Sequence, residues 1–220
     1  MDTPVRLAKV RVVPEDLSQV QRSDAIDNRE RILRAARTLF AAEGLDVPMR
    51  EVARRADVGP ATLYRHFPTK EILATEALHD QMRACTAIVD EGLADPDPAR
   101  GFRHVIERTF ESNAHSRGFS EAFMSTFPRA RDFAADREYT LKALAELANR
   151  AKDRGYLRKD FVLDDLILML TAHRGIRADS PAARVAASRR FAAYVIQAFR
   201  ASAETAPLPP PARIVPESIP

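Results

Sequence analysis

A chain of 220 residues, 45% apolar and 30% charged, buries a full core without covalent staples. Its one cysteine, Cys85, excludes an intrachain disulfide framework and a cysteine-based zinc site and fits a reducing compartment, and seven glycines favour helices over a turn-rich all-β chain. The net charge of +3 is concentrated: residues 28–70 hold nine Lys and Arg against five Asp and Glu, residues 71–220 hold 21 against 21, and a polyanionic partner is expected for the basic stretch.

Residues 1–27 mix charges with Pro4 and Pro14, show no sustained period and lack the apolar centre of a signal peptide; they read as a flexible arm. Asp27 and Glu30 have capping-box spacing, and Ile32, Leu33, Ala36, Leu39 and Phe40 follow on one helical face that stops near Gly44. A second, short helix opens at Pro48 with Met49, Val52, Ala53 and Ala56 on one face. After Asp57-Val58-Gly59-Pro60 a third runs from Ala61 to Phe67, burying Leu63 and Phe67 and turning Thr62, Tyr64, Arg65 and His66 outward. Pro68 and Thr69 close it, and a longer helix runs from Lys70 towards Gly92.

Five further helices fit between the remaining breakers, at 99–116, 119–127, 130–154, 161–178 and 181–203. The longest strong apolar run, Leu166 to Leu170, is far shorter than the ~18 residues of a membrane span, so no membrane partner and a cytoplasmic location are expected. From Pro207 onward six prolines fall in fourteen residues, and the tail 205–220 reads as disordered or extended. The fold class is therefore all-α: the arm 1–27, a three-helix head at 28–72, a larger helical region at 73–204, and the tail.

Three short helices, the last two separated by a tight turn, follow the helix-turn-helix plan, in which the final helix enters the DNA major groove. Its outward face suits that task. Arg65 can bind guanine bidentately, His66 can reach base edges or phosphate, and Thr62, Tyr64 and Lys70 offer donors to phosphate oxygens. Arg31-Ile32-Leu33 with Ala35-Ala36 and Leu39-Phe40, then Arg50-Glu51-Val52-Ala53 and Val58-Gly59, then Thr62-Leu63-Tyr64-Arg65-His66-Phe67 with Lys70-Glu71, closely resemble the DNA-binding domain of the TetR family of transcriptional regulators. The resemblance covers about residues 28–75. It implies that Arg50 reads a base, that Pro60, Ala61 and Thr62 open the recognition helix, and that Tyr64, His66 and Lys70 contact backbone or bases. Two positions depart from the family pattern. Pro48 stands where a capping Thr or Ser is common, and Asp57 where the turn often has Gly; if that turn needs positive φ, Asp tolerates it better than most residues.

A reader this small has too little footprint to select a genomic site alone, so a homodimer on a two-fold symmetric double-stranded DNA operator is expected. Leu166, Leu170, Phe191, Tyr194, Val195, Ala198 and Phe199, on the last two helices, are the candidate pairing residues. The family resemblance implies a ligand cavity in the larger region, with Phe102, Phe110, Phe119, Phe123, Met124, Phe127, Met169 and His173 as candidate lining for an apolar or aromatic effector. It also implies a repressor released by ligand; no nucleotide loop, nucleophile motif or HExxH is present, and no cofactor and no metal are expected. Two alternatives come from other classes. His104, Glu107, Glu111 and His115 form one helix stripe that suggests a metal-binding enzyme, but the apolar residues of that helix lie opposite and turn the stripe to water. An interaction module that has kept the reader fold without DNA is the other.

Overall fold

The computed structural model describes the backbone of residues 14–124, 131–202 and 206–211, and within these the side chains from Ile26 onward except those of Arg117 and Met124. Among the described residues the regular elements are all helices, joined by turns and loops with one isolated β-bridge between Leu157 and Arg200: α1 Pro14–Glu43, α2 Met49–Ala56, α3 Pro60–His66, α4 Lys70–Ala94, α5 Pro98–His115, α6 Arg117–Met124, α7 Arg131–Asp153, α8 Leu163–His173 and α9 Pro181–Phe199.

Of the boundaries that differ from the sequence reading, three have a clear local reason. α1 starts at Pro14, so Asp27 lies inside the helix and does not cap it. Proline suits a first helical turn, and residues 15–43 contain neither Gly nor Pro to interrupt the helix. α8 ends at His173, short of residue 178, because Arg174, Gly175 and Ile176 donate their N–H groups to Thr171, Ala172 and His173, three residues back. Such tightened closure uses up the last helical carbonyls and frees residues 174–180 as a loop. α9 ends at Phe199, where the chain turns extended: Arg158 N–H bonds to Phe199 O, and Ala201 N–H to Tyr156 O. Beyond it, Ala206–Pro211 is exposed, with Leu208 N–H on Asp160 and Ala206 O on Arg158.

Two apolar clusters organise the packing. The first joins Ile32, Phe40, Val52, Leu63 and Phe67 of the head to Leu73, Leu78 and Met82 of α4, and also to Phe119 and Ala122 of α6. The second joins Val89 of α4 to Phe102 and Phe110 of α5, Leu147 of α7, Leu166 and Leu170 of α8, and Val195 and Phe199 of α9. Two long helices thus thread both, α4 and α7, the latter with Phe133 in the first cluster and Leu147 in the second. α6 lies close on the head: a Cβ on Gly118 would stand 2.6 Å from the Phe40 carbonyl oxygen, so this glycine is what lets α6 lie against the α1 backbone.

Candidate nucleic-acid interface

The head is set by its turns. Asp57 ends α2 in the left-handed region at φ 53°. There Val58 N–H reaches Ala53 O and Asp57 N–H reaches Arg54 O, the two bonds of a Schellman closure. Glycine is the usual occupant; Asp is among the few side chains that tolerate the conformation. Arg31 of α1 fixes the turn by donating to the Asp57 carbonyl at 2.8 Å and to its carboxylate at 3.0 Å. Pro48 precedes α2 as its N-cap, not its first helical residue, and supplies no side-chain cap. α3 runs one residue earlier than the sequence pattern predicts, with Pro60 as its first residue and Phe67 as its C-cap, and Thr69 caps α4 by accepting from Ile72 N–H.

This geometry sorts the nine cations of residues 28–70. Four are spent within the head and on α4. Arg29 pairs with Glu76 and lies over the Phe67 ring, Arg31 clamps Asp57, Arg37 pairs with Asp80 at 3.6 Å, and Arg54 binds Glu51 within α2. Arg34, Arg50, Arg55, Arg65 and Lys70 form no ion pair among the described residues, and α3 carries no carboxylate. The Arg54 hydrogen bond holds the Glu51 carboxyl below its ordinary range, which keeps the one acid beside Arg50 ionised and engaged.

Every candidate contact residue is reachable. Pro60, Ala61, Tyr64, Arg65 and Arg50 are exposed, Thr62, His66 and Lys70 are half-buried, and Leu63 and Phe67 anchor the helix from its buried side. Tyr64 is 51% exposed, too open for a packing residue.

The larger region distributes its candidates differently. Phe102 packs edge-on against Phe161, Phe110 against Phe191 and His173, and Phe119 with Phe123 joins the head cluster. Met169 packs on the second cluster; Phe127 and the Met124 side chain lie outside the described residues. A cavity of about 160 Å³ opens where α5, α6, α8, the 174–180 loop and α9 meet, walled by Asn113, Ser120, His173, Arg174, Arg177 and Arg184 together with small apolar residues. Of the candidate pocket residues that are described, His173 alone stands in that wall. It is buried, its Nε2 meets Ser188 Oγ, and burial holds its pKa below the ordinary histidine value. Sequence reasoning misses the three arginines; the Arg-Gly-Ile-Arg run after α8 is the available signal, and extending that helix to 178 obscures it.

The candidate pairing residues also divide. Leu166, Leu170, Val195 and Phe199 are buried in the protomer's own core and Phe191 is half-buried, whereas Tyr194 and Ala198 are exposed, alongside Leu168, which the sequence pattern does not single out. The acidic and histidine stripe on α5 is divided among separate partners: His104 meets Glu91, and Glu111 pairs with Arg189. Among the described residues no three metal-ligating side chains come together, and no helix is long and apolar enough to cross a membrane.

A trihelical head that presents a short exposed helix and a set of unpaired cations is a helix-turn-helix DNA-binding unit. Residues 32–77 match the model of the bacterial regulatory proteins of the tetR family. An HTH-type transcriptional regulator of Staphylococcus aureus is 45% identical over 53 residues, 24% of this chain and 29% of that regulator's length. The HTH-type transcriptional repressor KstR of Mycolicibacterium smegmatis is 30% identical over 137 residues, 61% of this chain and 67% of the repressor. The solved ketosteroid transcriptional regulator KstR2 of Mycobacterium tuberculosis shares the fold, with a TM-score of 0.55 at 21% identity over 79% of this chain and 95% of that one. The chain belongs to the TetR family of transcriptional regulators, and as such it is not an enzyme.

Proposed function

We propose that the protein is a ligand-responsive repressor that binds a palindromic operator as a homodimer. The observation that carries this reading is the division of the head's cations: four hold the fold, and Arg34, Arg50, Arg55, Arg65 and Lys70 remain for the DNA. In this reading Arg65 and Arg50 reach base edges, while Thr62, Tyr64, His66 and Lys70 set the register on phosphates, with Pro60 and Ala61 allowing close approach of the helix start. Repression is favoured by the likeness to KstR, whose name describes a repressor.

Pairing through α8 and α9 is supported by Leu168, Ala198 and Tyr194, the last with Arg190 over its ring, which are exposed on helices whose opposite faces are already buried. Two heads then address successive major grooves about 34 Å apart. A small molecule with an apolar or aromatic body, held in the larger region, favours a subunit arrangement that loses this spacing, and operator affinity falls.

The test is a mobility-shift titration with DNA from upstream of the protein's own gene at several salt concentrations. Five unpaired cations per head predict a steep loss of affinity as salt rises, shared by specific and unrelated DNA, with a tighter constant for the operator. Absence of binding at the lowest salt, in a folded sample, selects the interaction-module alternative. Sedimentation of wild type and Tyr194→Glu measures the pairing: the variant is expected to be monomeric.

A further inference from the structure

We propose that the cavity between α5, α6, α8 and α9 binds a small organic anion, a carboxylate or phosphate on a body about the size of a benzene ring, whose charge draws Arg174 away from Glu121 and so releases the α1–α2 turn of the head. This rests on the effector reading and adds to it the charge of the ligand and the route of its effect.

The charge follows from the wall. Arg174, Arg177 and Arg184 border one space of about 160 Å³, and among the described residues no Asp or Glu lines it. Arg177 and Arg184 form no ion pair among the described residues, although Lys and Arg balance Asp and Glu over residues 71–220. Three arginines bordering one pocket make it a cationic site, where an oxyanion gains charge complementarity and accepts paired N–H bonds. Asn113, Ser120 and His173 supply neutral polar groups, and Ala114 and Ile176 border an apolar body. A void of this volume admits a benzene-sized molecule.

The route runs through two adjacent residues of α6. Ser120 faces the cavity, and the next residue, Glu121, reaches the head: its Oε2 accepts Leu45 N–H at 3.0 Å. Gly44, at φ +88°, brings the turn so close that a Cβ there would stand 2.7 Å from the same oxygen. Arg174 lies 3.8 Å from Oε2, within ion-pair range but longer than a hydrogen bond, and so yields readily to a closer anion. The Glu121 side chain is only 26% exposed. Without its counterion the partly buried carboxylate recovers hydration by rotating to solvent, which leaves Leu45 N–H without its acceptor. That N–H belongs to the link between α1 and α2, the element from which α3 is hung.

The experiment uses the full-length protein with benzoate, its uncharged counterpart benzamide, and inorganic phosphate. Calorimetry reads binding, and amide hydrogen exchange reads Leu45. Benzoate or phosphate is expected to bind at least about tenfold more tightly than benzamide, and whichever anion binds better identifies the charged group. Arg177→Gln/Arg184→Gln is expected to weaken the anion by at least about tenfold. Saturating anion should speed Leu45 exchange by about tenfold, Arg174→Gln should do so with no ligand, and Glu121→Gln should make exchange indifferent to the anion.

No binding of either anion at millimolar concentration, or equal binding of benzamide, overturns the ligand class. Saturation that leaves Leu45 exchange unchanged or slower overturns the route, and circular dichroism of each variant confirms that exchange is read on folded protein. The two readings fail separately. An anion that speeds Leu45 exchange without lowering operator affinity overturns the effector reading and leaves this one; a neutral molecule that releases the operator with Leu45 unmoved does the reverse.

Discussion

The head and the larger region use arginine in opposite ways. In the head, cations left over from internal pairing are spread over α1, α2, α3 and the start of α4, where a large rigid polyanion can reach them. In the body, Arg174, Arg177 and Arg184 border a cavity of about 160 Å³ that admits only a small partner. The first arrangement needs flatness and exposure; the second needs elements distant in sequence to converge. α6 lies between them, with Gly118 against the α1 backbone and Ser120 in the cavity wall, so the two sites share a structural member.

The largest expected effect tests how separate the two regions are. Phe67→Ala removes a fully buried ring from the first cluster, along with the face that Arg29 covers, and should cost about 3–5 kcal/mol. Phe161→Ala should cost a similar amount in the second cluster, where that ring meets Phe102 and Phe199. Because α4 threads both clusters, each variant should still unfold in one transition by circular dichroism in urea. A separate early transition in Phe67→Ala alone would mean that the head unfolds as a module.

The next effect in size sharpens the division of labour on α3. Arg65→Ala should lose about 1–3 kcal/mol of operator binding and relax preference at one base pair, if its guanidinium binds guanine bidentately. Tyr64→Phe, at a half-exposed hydroxyl, should weaken operator and unrelated DNA alike and by less. Binding measured against an operator series with single-base changes separates the two. A uniform loss in both variants would reassign Arg65 to the phosphates.

A smaller effect belongs to the body. Burial holds the His173 imidazole below its ordinary pKa, so the unfolded chain accepts a proton that the folded one resists. Stability from this group is therefore complete above the unfolded value near 6.5 and declines as pH falls below it towards the folded value. Urea midpoints between pH 7 and pH 5 should show a shallow decline in wild type that His173→Gln lacks. An equal slope in both would place the titrating group elsewhere.

The head was legible in sequence because its information is local. Leu63 and Phe67 lie a helical turn apart and face inward, Arg65 lies between them and faces out, and Pro60 marks the helix start, all within eight residues. Helical periodicity suffices for such a pattern. The cavity was not legible for the converse reason. Asn113, Ser120, Arg177 and Arg184 come from different elements, and what brings them together is the early end of α8 at His173. Apolar rings at helical spacing, such as Phe102 and Phe110, report burial without distinguishing a filled core from a cavity wall. Likewise Leu166 and Leu170 announce a buried face, yet only packing decides whether a neighbouring helix or a second subunit covers it.

The smallest predicted effect concerns the turn that aims α3. Asp57→Gly relieves a left-handed backbone, which for most side chains costs about 1–2 kcal/mol, but it gives up the carboxylate half of the Arg31 clamp, an exposed pair of the kind that contributes about 0.2–1 kcal/mol. Arg31 keeps the Asp57 carbonyl at 2.8 Å in either case. The two contributions oppose each other, so stability by urea denaturation should change by less than about 1 kcal/mol. Asp57→Val loses the carboxylate and keeps the strained φ, now with a β-branched side chain, and should be clearly less stable than either. If glycine were instead as damaging as valine, the carboxylate clamp would be what positions the recognition helix, and the left-handed turn would be its consequence.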